Sequence, residues 1–317
     1  MGLTIVITGA GGFVGRAVVE AALRRGHKVR AVTRRDTDDF DPDVSHHVLD
    51  LARDVDILEH VVDGADAVIH AAASMSGDRE RSAVDTVEAT RNLLSSMNNY
   101  APDCRLVLVS SIAVYDAAAK QITEDTPLER RPKSRDTYAQ AKLAQEATLD
   151  GTGLETWIAP PGAVFGPNHL WNAHLGPRFG PLLIRMGRAG DLPLVALDSC
   201  ADALVLAAQT PVPGTGPRAV NLVESDLPTR TRFLRALGPS APKLQIRFPW
   251  KLLWIIGTVL GLIPGLRRRL PGLLQSRTLR ARFGEKHYSN ARAEKELHWR
   301  SRLPFENAMH SAVEASR

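Results

Sequence analysis

Tyr138 and Lys142 lie four residues apart in Tyr138-Ala139-Gln140-Ala141-Lys142, and on a helix they share one face. That spacing has a chemical use. A free phenol titrates at about 10 and is a poor acid–base catalyst near neutrality, whereas a neighbouring ammonium favours the phenolate and eases proton transfer. Ser111 stands 27 positions earlier, within Val109-Ser110-Ser111-Ile112-Ala113-Val114-Tyr115. Its hydroxyl could polarise a carbonyl or steady a developing alkoxide. Together the three side chains suit proton traffic at the oxygen of a hydroxyl/carbonyl pair.

A second constellation lies near the N-terminus. Thr8-Gly9-Ala10-Gly11-Gly12-Phe13-Val14-Gly15 follows an apolar run and precedes a helical pattern. In that context Gly9, Gly12 and Gly15 tighten the turn, let backbone approach a pyrophosphate and let the helix pack on the strand; Phe13 and Val14 begin that helix. The helix N-terminus then offers free N–H groups to phosphate. A dinucleotide is the expected ligand. Past the second strand the chain has Thr33, Arg34 and Arg35, with Asp36 the nearest acid, so Arg34 is expected to meet a 2′-phosphate. NADP is therefore expected ahead of NAD. Asp50 and Leu51 follow the third strand and are assigned to the adenine edge. Ala71 and Ala72 follow the fourth, where small side chains leave room, and His70 before them reads as a packed residue.

These groups need a scaffold that brings strand ends together. Residues 3–8 form an apolar run of the kind buried on both faces, and 13–25 repeats apolar residues at helical spacing. The cycle continues with strands expected at 28–33, 46–49, 66–70, 105–110 and 154–159. Helices are expected at 54–61, 79–100 and 136–149. Such alternation implies an α/β fold, a doubly wound parallel sheet of the Rossmann type. The dinucleotide domain is expected over 1–165. A smaller, mostly helical substrate lobe is expected over 166–317, with part of 190–225 returning to the sheet through a helix at 201–209 and a strand near 219–223.

Composition narrows the class. The 317 residues are 44% hydrophobic and 24% charged, ordinary for a globular enzyme. The net charge of +5 is modest, and its arginine clusters lack an aromatic-laced basic stripe, so no nucleic-acid partner is expected. Cys104 and Cys200 are too few for a disulfide framework, which suits a cytoplasmic location. The first residues read as a strand, without a secretory signal. Neither H-E-x-x-H nor paired C-x-x-C occurs, so no metal is expected, and no G-x-S-x-G elbow surrounds Ser110 or Ser111.

On these motifs the chain resembles the extended short-chain dehydrogenase/reductase family, also called the NAD-dependent epimerase/dehydratase family. The resemblance rests on TGAGGFVG at 8–15, HAAA at 70–73, SSIAVY at 110–115, YAQAK at 138–142, PPGAVFGP at 160–167 and AEKELHWRSRLP at 293–304. It implies Ser111, Tyr138 and Lys142 as catalytic residues and Pro161 and Gly162 beside the nicotinamide. It also implies a homodimer through helices flanking the fourth and fifth strands. Two positions depart from the pattern: Thr86 stands where the family commonly has Asn in a proton relay, and Pro160 where many members have Arg.

The segment 250–266, WKLLWIIGTVLGLIPGL, is strongly apolar and is followed by Arg267, Arg268 and Arg269. It is interrupted by Lys251 and Pro264, too soon for a bilayer span of about 20 apolar residues. A buried core helix, a lid over an apolar pocket, and an interfacial helix giving peripheral membrane contact through 250–269 are the three readings. Trp171, Phe179, Trp250 and Trp254 are candidate pocket or lid residues, with core packing as the competing role. The lobe is more similar to the 3β-hydroxysteroid dehydrogenase branch, which implies a sterol-like or long-chain 3-oxo/3-hydroxy acyl substrate. A nucleotide-sugar epimerase or dehydratase, and a non-catalytic NADP-binding regulator, are the alternatives.

Overall fold

Runs rich in β-branched and aliphatic residues build β1 (Thr4–Thr8), β2 (Lys28–Thr33), β4 (Ala67–His70) and β5 (Arg105–Val109), and the polar β3 (Ser45–Val48) forms an edge beside β2. A computed structural model describes residues 2–37, 39–74, 76–187, 189–260 and 274–317. Short strands follow: β6 (Gln121–Ile122), β7 (Thr156–Ala159), β8 (Ala163–Phe165), β9 (Arg178–Phe179), β10 (Leu182–Arg185), β11 (Leu194–Ala196), β12 (Arg218–Ala219), β13 (Leu244–Arg247) and β14 (His287–Tyr288). The main sheet has the order β12-β7-β5-β4-β1-β2-β3 and every pairing in it is parallel. The order reverses beside β1, where doubly wound sheets bind ligands at the carboxyl ends of their strands.

Helices cover both faces. On one, α1 (Phe13–Arg24) packs on a helix from Leu197 to Gln209, burying Val18, Ala21, Ala22, Ala201 and Leu204 against Ile5 and Trp157. On the other, α2 (Val55–Val62) and the helical stretch after β4 bury Leu58, Val61, Leu93 and Met97. That stretch is expected as a single helix over 79–100, and the chain does stay helical throughout. It divides, however, into α3 (Arg79–Ser82), a π-helical turn at Ala83–Glu88 and α4 (Ala89–Tyr100). Thr86 lies inside the widened turn, where its hydroxyl accepts from Ser74 N at 2.9 Å and its carbonyl accepts from Thr90 Oγ1 at 2.5 Å. Next come α5 (Thr137–Glu146), α6 (Leu197–Gln209), α7 (Arg230–Ala236), α8 (Trp250–Leu260), α9 (Ser276–Phe283), α10 (Ala291–Glu296) and α11 (Phe305–Glu314).

Within 190–225 the chain adds β12 to the edge of the main sheet, pairing with β7 for two residues, and Leu222 bridges Pro161. The part of the chain expected to be mostly helical also holds a three-stranded sheet, β13-β10-β9, and a β8–β11 pair. Strands of two to four residues are too short to show a period of two in the sequence.

The apolar segment departs from its core reading. Of α8 only Gly257 is buried, while Leu252, Trp254, Ile255, Ile256 and Val259 are exposed. Residues 261–273, including Arg267–Arg269, lie outside the described part. Trp171, Phe179 and Trp254 are likewise exposed, and Trp250 packs partly buried against Met186, Leu279 and Phe283. None of the four lines the central cavity; Trp250 keeps a core-packing role in part, and the other three are exposed.

Candidate active site

The turn after β1 is closed by Gly12 N–H donating to Gly9 O at 2.9 Å. Gly9 sits at φ +68°, and a Cβ there would stand 2.8 Å from the Ala72 backbone; one on Gly15 would stand 2.1 Å from Gly9 O. Only glycine lets the turn, α1 and the end of β4 come this close. The Ala71 and Ala72 amides close the other side on Thr8 O and Thr8 Oγ1. The glycine loop thus has the tight turn, close helix approach and free helix N-terminus that a dinucleotide pyrophosphate requires.

Two cavities share this loop. One, of about 610 Å³, is lined by Gly11, Thr33, Arg34, Arg35, Asp50, Leu51 and Ala72. The other, of about 600 Å³, is lined by Phe13, Val14, Gly15, Ser111, Tyr138, Lys142, Pro161 and Gly162. Gly9, Gly12 and Ala71 border both. The residues expected at the adenine end and those expected at the reactive end therefore fall into adjoining halves of one crevice. Arg34 is paired with Asp85 at 2.9 Å, with more than half of its side chain exposed.

Around the triad, β5 and α5 are pinned to each other. Asp136 caps α5 by accepting from Ala139 N at 3.0 Å, and Tyr138, Lys142 and Glu146 follow at intervals of four on one face. Two consecutive serines at the end of β5 meet the two ends of that face: Ser111 hydrogen-bonds Tyr138, and Ser110 Oγ donates to Glu146 Oε1. Burial pushes the Tyr138 phenol above its ordinary 10.0, and the bond from Ser111 pulls it back. Lys142 is buried; desolvation lowers it from 10.5 to about 8, against the pull of Glu146. Its Nζ donates to Val109 O at 2.7 Å and Gln145 Oε1 at 2.9 Å.

Gln145 leads further inward. Its Nε2 donates to Thr90 Oγ1 at 2.9 Å; Thr90 Oγ1 lies 2.9 Å from His70 Nε2, and His70 Nδ1 lies 2.7 Å from Thr8 Oγ1. Burial drives His70 to about 3, so it is neutral and packed, as its sequence context suggests. This hydrogen-bonded line, reached through Gln145 and Thr90, passes one turn from Thr86. Gln145 and Thr90 carry no signal in the sequence beyond helical spacing.

The far wall of the reactive cavity comes from late segments that no motif marks: Arg282 at the end of α9, then Lys286 and Tyr288, joined by His174 and by Arg135 before α5. His169 stacks on Phe13 with ring centroids 3.8 Å apart. Among the described residues no cluster of His, Cys, Asp or Glu could hold a metal ion.

The chain matches the family described as NAD dependent epimerase/dehydratase over residues 5–222. It is 26% identical over 319 residues to a 2-alkyl-3-oxoalkanoate reductase of Shewanella oneidensis, covering 92% of this chain and 80% of that enzyme. It is also 26% identical over 281 residues to a 3 beta-hydroxysteroid dehydrogenase/Delta 5-->4-isomerase of Mycobacterium tuberculosis, covering 77% of this chain and 72% of that one. In fold it is similar to MoeE5 solved with UDP-glucose and NAD, at a TM-score of 0.71 and 19% identity over 99% of this chain and 98% of that chain. The chain belongs to the NAD dependent epimerase/dehydratase family and is an NAD(P)-dependent oxidoreductase of the extended short-chain dehydrogenase type.

Proposed function

We propose that the protein interconverts a hydroxyl and a ketone on an apolar substrate, sterol-like or long-chain 3-oxo/3-hydroxy acyl, with NADP(H) preferred to NAD(H). One observation carries this reading: Ser111, Tyr138 and Lys142 border the same cavity as the glycine turn, and Ile112, Ala113, Ile122 and Val164 give much of its remaining wall an apolar surface. The nicotinamide cofactor supplies hydride to the carbonyl carbon or takes it from the carbinol carbon. In reduction Tyr138 gives its phenolic proton to the carbonyl oxygen, and Ser111 donates a hydrogen bond to that oxygen. The Lys142 charge stabilises the phenolate left behind and would hold the nicotinamide ribose. Arg34 and Arg35 on the adjoining cavity, with no acid at the end of β2, support NADP(H).

The test is NADPH and NADH oxidation over a panel of sterol, 3-oxoacyl and sugar-nucleotide ketones. Tyr138→Phe is expected to abolish turnover while cofactor affinity survives. Undiminished turnover in that variant would end the mechanism. The alternative, a nucleotide-sugar epimerase, returns the hydride to its substrate, so net NADPH consumption with a ketone separates the two.

A further inference from the structure

The far wall of the reactive cavity carries more positive charge than its acids offset. Arg277 pairs with Asp116 and Glu129, and Arg282 pairs with Asp136. Arg135, only 2% exposed, has Glu129 at 3.7 Å but shares it with Arg277. Lys286, 5% exposed, has no carboxylate within 4.0 Å among the described residues; its Nζ caps Ala117 O at 3.1 Å and Ala119 O at 2.5 Å. Arg230 behind them is held, among the described residues, by the carbonyls of His174, Ala189 and Arg282. His174 registers the field: burial first, then Arg282, Arg230, Arg135 and Lys286, hold it down to about 3.

Two donors on this wall are unspent among the described residues. Arg135 gives one Nη to Tyr115 O at 3.2 Å, yet its buried Nε has no hydrogen-bond partner. Such an orphaned donor is expensive to leave buried. Lys286 uses two of its three N–H groups on carbonyls, leaving one. Both residues line the cavity that contains Ser111 and Tyr138.

We propose that the substrate carries a carboxylate, and that Arg135 and Lys286 receive it at the end of the cavity opposite the glycine turn, with Arg282 adding charge. The inference rests on the hydroxyl/ketone reading above and narrows its substrate class to an oxo or hydroxy acid with an apolar body. The Arg135 guanidinium, which spends one Nη N–H on Tyr115 O, and the third N–H of the Lys286 ammonium can between them meet the two oxygens of one carboxylate. Burial lets so small a set discriminate, because an ion pair there is little screened by salt.

Two measurements decide it. In the first, NADPH oxidation is followed with a long-chain 3-oxo acid, its methyl ester and a UDP-sugar ketone. The acid is expected to exceed the ester at least tenfold in kcat/KM. Lys286→Gln is expected to shrink that ratio severalfold, mainly through KM of the acid, and Arg282→Gln, nearer the surface, to shrink it less. In the second, laurate and methyl laurate are titrated calorimetrically into wild-type protein loaded with NADP+, and only laurate is expected to bind. Equal kcat/KM for acid and ester, or preference for the UDP-sugar, would overturn the carboxylate site while leaving the redox reading in place. Laurate binding without turnover of any ketone would overturn the redox reading and leave the carboxylate site standing. Equal binding of laurate and its ester would remove the site, whatever the Lys286 variant's stability.

Discussion

The substitution Gln145→Met isolates what the buried line behind Lys142 contributes. The wild-type ammonium donates to Val109 O and to Gln145 Oε1, and desolvation already holds it at about 8. A methionine side chain would fill similar space but accept nothing of comparable strength from the ammonium. A hydrogen bond to a charged group contributes about 1.5–3 kcal/mol, and 1.36 kcal/mol corresponds to one pH unit, so the ammonium form should be lost roughly one to two pH units earlier. For a base the sign is downward: withdrawing an acceptor from the charged form favours the neutral form. Burial holds Tyr138 above 10.0, so within the triad Lys142 sets the alkaline limb of ketone reduction. The assay is kcat/KM against pH with a neutral ketone, a substrate for which Lys286 has no partner to recognise. The limb is expected to move from about 8 to between about 6 and 7, an activity loss of about tenfold at about pH 7.5 that is recovered at about pH 6. A limb that stays in place, or a loss equal at every pH, would refute the reasoning. Thr90 loses one donor in this variant but keeps Thr86 O and His70, so the fold should survive.

Gly15→Ala places a Cβ where Gly9 O stands 2.1 Å away; it is expected to weaken NADPH binding at least tenfold and to lower the midpoint of thermal unfolding, both read by a ligand-dependent melt. Arg34→Leu removes a half-exposed guanidinium, so the NADPH-over-NADH ratio of kcat/KM should fall about fivefold to tenfold; an unchanged ratio would assign the preference elsewhere. The exposed Leu252, Trp254, Ile255, Ile256 and Val259 of α8, with Lys251 beside them and Arg267–Arg269 next in sequence, should dock on anionic phosphatidylglycerol vesicles. No helix among the described residues is long and apolar enough to cross a bilayer. Co-flotation that weakens with salt is the expected result, and no flotation at low salt would exclude it.

The strands of the main sheet and the glycine turn are readable because each is a local pattern. An apolar run buried on both faces, a glycine triplet at a strand end and a Tyr–Lys pair one helical turn apart each state their geometry within a dozen residues. Boundaries move by one to four residues, as capping decides them: Asp136 stops short of being helical because its side chain accepts from Ala139 N. What stays hidden is non-local. Lys286 and Tyr288 reach the cavity through β14, whose two residues pair with β6 across more than 160 positions of sequence. No periodicity marks a strand of that length. The π-helical turn around Thr86 is equally silent, since its composition suits an ordinary helix. The tryptophans mislead for a different reason: size and apolarity suggest a pocket or core, but exposed apolar side chains are common on folded proteins and individually say little.

Burial acts on this site with one rule and two consequences. Taking a group out of water disfavours its charged form, so the same desolvation raises Tyr138 and lowers Lys142 and Lys286. At neutral pH this keeps the phenol protonated, ready to act as an acid, while both lysines, at about 8, remain mostly charged. The lysines do so at some expense in stability. Between about 8 and 10.5 the unfolded chain binds more protons than the folded one, so their contribution to stability improves as pH rises through that window. Lys286→Gln should therefore flatten the rise of chemical-denaturation stability between about pH 8 and about pH 10. Should the rise persist undiminished in that variant, Lys286 is not held as a strained ammonium, and the claim that burial depresses it fails while its positive charge on the cavity wall stands.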